Sequence, residues 1–146
     1  MNSETAEVLL VEDNPRDAEL TIRAFKRNNL ADRLFHVQDG AEALDFLFGR
    51  GKYEVRQTAA LPKVILLDLK LPKVNGLEVL HQIKADSRLR AIPVVIVTSS
   101  AEDPDLEAAY QLGANSYVIK PVEFDAFTEA MSKLGLYWLI SNHPPK

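Results

Sequence analysis

The chain has 146 residues, 47% of them hydrophobic, which suits one domain with one buried core. Its 17 basic and 21 acidic residues leave a net charge of −4 with no basic block to neutralise a row of phosphates, so neither nucleic acid nor an anionic membrane is expected as a partner. Cysteine is absent, which excludes disulfides, thiolate metal sites and cysteine nucleophiles. Residues 1–7 are polar with no apolar signal core, no apolar run approaches the roughly 20 residues of a membrane span, and a cytoplasmic location is expected.

The first element is the apolar run Val8-Leu9-Leu10-Val11. Three more runs share its lack of polar alternation, Val64-Ile65-Leu66-Leu67, Val94-Val95-Ile96-Val97 and Tyr117-Val118-Ile119, and all four suit strands buried on both faces of a parallel sheet. After the first, Asn14, Pro15 and Asp17 read as N-cap, first-turn proline and N3 acid of a helix. The run Arg33-Leu34-Phe35-His36-Val37 alternates and predicts an edge strand. Asp39-Gly40-Ala41-Glu42 and Asn75-Gly76-Leu77-Glu78 repeat the cap with an acid three residues on, and Asp103-Pro104 opens a fourth helix. The last helix carries the stripe Phe124, Phe127, Met131 and Leu134, with Gly135 placed to end it.

Charge-rich residues 84–90 read as a solvated helix end. His36, His81 and His143 lack metal-ligand spacing and read as surface or helix residues without a role. Residues 136–140 set five apolar side chains beyond Gly135. They either pack back onto the same domain or form a subunit or partner interface.

A strand and a helix thus alternate five times. Right-handed crossovers then place helices on both faces of a parallel sheet, a three-layer α/β/α sandwich of the doubly wound (βα)5 type. Ligands of such open sheets sit outside the carboxyl ends of the strands. There the sequence places Glu12-Asp13, Asp68, Thr98-Ser99-Ser100 and Lys120-Pro121. Three carboxylates together repel one another, and a divalent cation removes that cost; Mg²⁺ suits hard oxygen ligands and leaves positions for phosphate oxygens. Asp68, at the end of the most apolar strand, could attack phosphorus to form an acyl phosphate. Asp13 with the ion, Lys120 and the Thr98 hydroxyl would stabilise the charge developing on the equatorial oxygens.

Taken in order, Leu10-Val11-Glu12-Asp13-Asn14, Leu66-Leu67-Asp68-Leu69-Lys70-Leu71-Pro72, Asn75-Gly76, Val97-Thr98-Ser99-Ser100, Gly113-Ala114 and Tyr117-Val118-Ile119-Lys120-Pro121 resemble the receiver domains of two-component response regulators, the CheY-like family. The resemblance covers the chain from Val8 to about Leu139. It implies a flavodoxin-like sheet of strand order 2-1-3-4-5 and a single receiver domain over residues 1–146, with a core of about 6–135 and a C-terminal extension of 136–146. It implies Asp68 as phosphoacceptor, Asp13 as a direct Mg²⁺ ligand, Glu12 as a ligand through water and the Lys70 carbonyl as a further ligand. Thr98 would be the hydroxyl switch, Tyr117 the aromatic that turns behind it and Lys120 the cation on the phosphate. Lys70 and Ser100 occupy positions that tune acyl-phosphate lifetime.

Within the family the chain looks most like the stand-alone regulators of phytochrome-type histidine kinases. The features are Glu12-Asp13-Asn14-Pro15-Arg16-Asp17, the insertion at residues 49–61, Thr98-Ser99-Ser100 and the Tyr137-Trp138-Leu139 tail. That likeness implies a sensor histidine kinase as phosphodonor, a homodimer with Tyr137 and Trp138 as candidate interface residues, and output through an unidentified protein partner rather than an attached effector domain. The chain would not be an enzyme beyond catalysing its own phosphorylation and dephosphorylation.

Three rival readings differ in class. Aspartyl-nucleophile phosphatases resemble D-x-D, with an acid two residues after the nucleophile, where this chain has Lys70. Flavodoxin-like FMN carriers cradle phosphate in the first loop, which Glu12 and Asp13 would repel. A receiver-like module that is never phosphorylated would serve interaction or dimerisation alone.

Overall fold

The computed structural model describes residues 6–58 and 60–140. Five strands, β1 (Val8–Val11), β2 (Leu34–Val37), β3 (Val64–Asp68), β4 (Val94–Thr98) and β5 (Ser116–Ile119), pair in parallel in the order β2-β1-β3-β4-β5. Helices α1 (Pro15–Arg27), α2 (Gly40–Phe48), α3 (Gly76–Ala85), α4 (Asp105–Gln111), α5 (Phe124–Lys133) and a short α6 (Tyr137–Ile140) connect and follow them. Two 3-10 segments, Ala31–Arg33 and Gly51–Thr58, complete the described elements. Parallel neighbours cannot be joined by a tight hairpin, so each link crosses over the sheet and covers one face of it.

Strand side chains alternate between two cores. Leu9, Val11, Ile65, Leu67, Val94 and Ile96 pack with Phe46, Leu47, Leu80 and Leu106, which puts α2, α3 and α4 on one face. Leu10, Leu66, Val95, Val97 and Val118 pack with Phe25, Phe127 and Met131 from α1 and α5 on the other. The three central strands are buried along their whole length, which is why they read as continuous apolar runs. The run Tyr117-Val118-Ile119 departs from that expectation. β5 lies at the sheet edge with only Val118 buried, and Tyr117 and Ile119 are exposed on its uncovered face.

The predicted caps are present. Asn14 accepts the Asp17 N–H at 3.0 Å, Asp39 the Glu42 N–H at 2.7 Å and Asn75 the Glu78 N–H at 3.0 Å. Glu42 returns a bond by accepting the Gln38 N–H at 2.9 Å. The fourth helix starts one residue later than an Asp103 cap suggests, with Pro104 in the cap position. The Asp103 carboxylate accepts the Asp105 N–H at 2.9 Å from outside the first turn.

Three segments pack more tightly than their sequence implies. In the insertion, Tyr53 is buried beside Phe35 and Phe46, its hydroxyl donates to Glu42 at 2.6 Å, and the guanidinium of buried Arg56 lies 3.7 Å from the centroid of the Phe46 ring. Residues 84–90 are not merely solvated. Lys84 donates to the Arg90 and Ile92 carbonyls at 3.1 and 3.0 Å, and Leu89 is buried. The apolar core also runs past Gly135: Leu139 is buried in it, and its carbonyl accepts a 2.6 Å bond from Arg33. Residues 141–146 of the expected C-terminal extension lie outside the described residues.

Candidate functional site

The chain winds both ways from β1, whose neighbours are β2 and β3, so a crevice opens beyond the carboxyl ends of β1 and β3. Val11 pairs with Leu67, and the next residues on the two strands are therefore the acids Glu12 and Asp68. Glu12, Asp13 and Asp68 each present a carboxylate oxygen within 4.8 Å of the others. Glu12 and Asp68 are buried, whereas Asp13 is exposed at the rim.

Asp68 is held at both oxygens. Oδ1 accepts the Lys70 N–H at 3.0 Å and Oδ2 accepts Lys120 Nζ at 2.6 Å. Lys120 also reaches Glu12 Oε1 at 3.2 Å and Asp17 Oδ2 at 3.6 Å. β5 brings this lysine into place, because the Lys120 N–H donates to the Thr98 carbonyl at 2.8 Å and so extends the β4–β5 ladder by one residue.

Crowded buried acids with one cation shift their titration. Burial first, and then the hydrogen bond to and charge of Asp68, push Glu12 up to about 7 against the Asn14 N–H and Lys120. Burial opposes the charge on Lys120, but its hydrogen bond to Asp68 and the charges of Asp68 and Glu12 outweigh that and hold the ammonium above its ordinary value. Hard carboxylate oxygens with one exposed member form a donor set suited to a divalent cation and chemically unsuited to soft metals.

Thr98 follows Val97, the β4 partner of Asp68, but its hydroxyl bonds elsewhere. The Thr98 hydroxyl, buried at the end of β4, contacts the Ser100 carbonyl and the Asp103 carboxylate, each at 3.2 Å. Tyr117 lies on the exposed face of β5, edge-on to Tyr110 with centroids 6.5 Å apart. Lys70 and Ser100 have exposed side chains and line a shallow hollow with Asp103 and Asp105. Tyr137 and Trp138 are exposed on α6.

Three participants were not singled out as site residues. Asp17 was visible only as a helix-start acid, yet it faces Lys120. His36 is not helical, and it is only partly at the surface. It is half-buried on β2, where Nε2 lies 2.7 Å from the Glu12 carbonyl, and a carbonyl can only accept, so Nε2 carries the proton. Asp103 had no signal beyond its cap position, because its Thr98 contact depends on how the β4–α4 loop folds.

The fold and this acid-and-lysine crevice define a signalling module of the α/β receiver type, and the comparisons give its family. Residues 8–132 match the family model of the response regulator receiver domain, and the chain belongs to that family. Among characterised relatives, it is 46% identical over 141 residues to the probable methanogenesis regulatory protein FilR2 of Methanothrix harundinacea, covering 94% of this chain and 86% of that one. It is 36% identical to response regulator Rcp1 of Synechocystis sp., covering 90% of this chain and 88% of that one. The solved bacteriophytochrome response regulator RtBRR is 52% identical, with a TM-score of 0.83 over 94% of this chain and 82% of its own. A structure of Rcp1 in a Mn²⁺-bound form superposes with a TM-score of 0.71 at 35% identity, over 95% of this chain and 98% of that one. Receiver domains bind a divalent metal and act as signalling modules. No described helix is long and apolar enough to cross a membrane.

Proposed function

We propose that this chain accepts a phosphoryl group from a phytochrome-type histidine kinase onto Asp68, with Mg²⁺, and signals through a changed protein surface. The observation that carries the reading is a buried Asp68 carboxylate 2.6 Å from Lys120, with Glu12 and Asp13 oxygens within 4.8 Å. An Asp68 oxygen attacks phosphorus, the bond from phosphorus to the kinase's histidine nitrogen breaks, and that nitrogen leaves with the electron pair. The product is an acyl phosphate on Asp68. Water attack on its phosphorus releases phosphate and restores the carboxylate.

Asp13, Asp68, the Lys70 carbonyl and, through water, Glu12 would hold Mg²⁺, which when bound offsets the negative charge gathered at the carboxylates and phosphoryl oxygens. Lys120 would pass its contact from Asp68 to a phosphoryl oxygen. Thr98 would turn its hydroxyl toward the new group, and Tyr117 would move inward behind it, remodelling the face of α4, β5 and α5. Lys70 and Ser100, exposed after the ends of β3 and β4, would set how readily water reaches the acyl phosphate. The exposed Lys70 side chain occupies the position where an aspartyl phosphatase needs an acid, which supports the phosphoacceptor reading over the hydrolase one.

The test is phosphotransfer from purified, autophosphorylated phytochrome-type kinase. Label should pass to this chain in Mg²⁺ and not in chelator, and label that stays on the kinase in both conditions defeats the assignment of the donor. Replacing Lys120 by Ala should leave acetyl-phosphate labelling in place but remove the accompanying spectral changes in α4 and β5, read by amide NMR. The same variant should lose on the order of 3 kcal/mol of metal-free stability, because the buried Asp68 carboxylate loses its cation.

The pH dependence has a defined sign. Glu12 binds its proton more tightly in the folded chain, at about 7, than at its ordinary 4.5. The stability this contributes, on the order of 3 kcal/mol, is fully present below about pH 4.5 and lost as pH rises through about 7. Mg²⁺ takes over the neutralising role of that proton. It should therefore raise the melting temperature more at pH 8 than at pH 6, and equal shifts would contradict the metal site.

The reading includes a homodimer. Tyr137 and Trp138 expose 62% and 45% of their surface on α6, while Leu139 beside them is buried, so the tail is anchored and still presents two aromatics outward. Light scattering of Tyr137→Ser with Trp138→Ser should show monomer mass where the unaltered chain shows dimer. Truncation after Gly135 is a poorer test, since it removes Leu139 and the Arg33 contact from the core.

A further inference from the structure

The Thr98 hydroxyl has one proton to give and two acceptors before it: the Ser100 carbonyl at 3.2 Å and Asp103 Oδ2 at 3.2 Å, while the Ser100 N–H reaches the hydroxyl oxygen at 3.4 Å. Only Asp103 is charged, and hydrogen bonds to a charged acceptor are roughly twice as strong as neutral ones. The other oxygen, Oδ1, accepts the Asp105 N–H at 2.9 Å, and the Asp103 backbone carbonyl accepts the Leu106 N–H at 3.0 Å. One residue thus ties the end of β4 to the first turn of α4.

We propose that Asp103 is a positioning residue that holds the Thr98 hydroxyl away from Asp68 and links its release to the start of α4. The inference rests on the phosphoacceptor reading of Asp68. Thr98 cannot donate one proton both to Asp103 and to a phosphoryl oxygen, so the two contacts exclude each other. Asp103 is only half-buried, and Oδ2 can be taken over by water when the hydroxyl leaves. Oδ1 continues to accept the Asp105 N–H and the Asp103 N–H still donates to the Ser100 carbonyl at 3.2 Å, but the side-chain tether to Thr98 is gone and the first turn of the helix is less tightly held. The strength of the Asp103 bond therefore sets how far the resting state is favoured, since an equilibrium moves only by the difference in interaction between its two states.

The test uses Asp103→Asn, which keeps an oxygen to cap Asp105 while placing an amide donor in the position of Oδ2. The probe is beryllofluoride with Mg²⁺, a mimic of a phosphoryl group on a carboxylate, titrated against the full chain and read by amide exchange over residues 99–106. Half-saturation should fall about fivefold or more, and exchange in this segment should be raised before any addition. In a Thr98→Val background the Asp103→Asn change should have no effect on half-saturation. A shift that persists there is a simple charge effect on anion binding and overturns the latch. Asp103→Ser, which can also cap, repeats the measurement should the amide variant be unstable. Saturable binding unaffected by either Asp103 variant overturns the latch alone. No beryllofluoride binding to the unaltered chain, as for Asp68→Asn, overturns the phosphoacceptor reading with it.

Discussion

Asp68→Asn is expected to abolish labelling by acetyl phosphate in Mg²⁺, measured by intact mass, because an amide oxygen is a poor nucleophile and cannot form an acyl phosphate. The geometry leaves no obvious substitute. Glu12 is buried with its proton held up to about 7, and Asp13 sits at the rim rather than against Lys120. Asp68→Glu separates charge from position. It keeps the carboxylate but moves it about one methylene away from the Lys70 N–H and Lys120, and a displacement of that size can cost on the order of a hundredfold in rate. Labelling of Asp68→Asn equal to that of the unaltered chain would place the phosphoryl group elsewhere.

Gly76→Ala is expected to damage stability and labelling together. Gly76 opens α3, and a Cβ there would lie 2.4 Å from the Asp68 carbonyl oxygen and 2.4 Å from the Leu69 Cα, both backbone atoms that cannot swing aside. The helix must back away or the end of β3 must move. Overpacking of this kind costs about 3 kcal/mol, or roughly 10 °C in melting temperature for a chain of this size. Because the displaced segment carries Asp68, labelling should slow by about tenfold or more. Gly135→Ala is the control. A Cβ there meets nothing within 4 Å, and only the left-handed backbone at φ 76° is strained, for about 1 kcal/mol. Equal melting temperatures for the two variants would show that α3 is not pressed against the strand end.

Much of the site is legible in the amino-acid order because its parts are local. Glu12, Asp68 and Thr98 each end an apolar run, and those three runs are short and uniformly apolar, as central strands are. That reasoning places Asp68, Glu12 and Thr98 at one edge. It carries less far for β5, where three apolar residues look as buried as the others although two of them face outward. Burial of an edge strand depends on what covers it, and nothing within Tyr117-Val118-Ile119 records that.

By its own pattern of apolar runs, capped helix starts and strand-end acids, the sequence determined the alternating α/β order and the residues lining the crevice. These are consequences of periodicity and of side chains bonding to backbone within three residues. Tertiary structure alone decided that Lys120 bridges Asp68 and Glu12, that His36 braces the Glu12 carbonyl, that Thr98 is turned toward Asp103, and that the tail splits into buried Leu139 and exposed Tyr137 and Trp138. Several of these contacts join residues tens of positions apart or more, and the Thr98 contact depends on the path of a loop. Distance and direction across such separations are set only when helices pack on the sheet and bring the strand ends together.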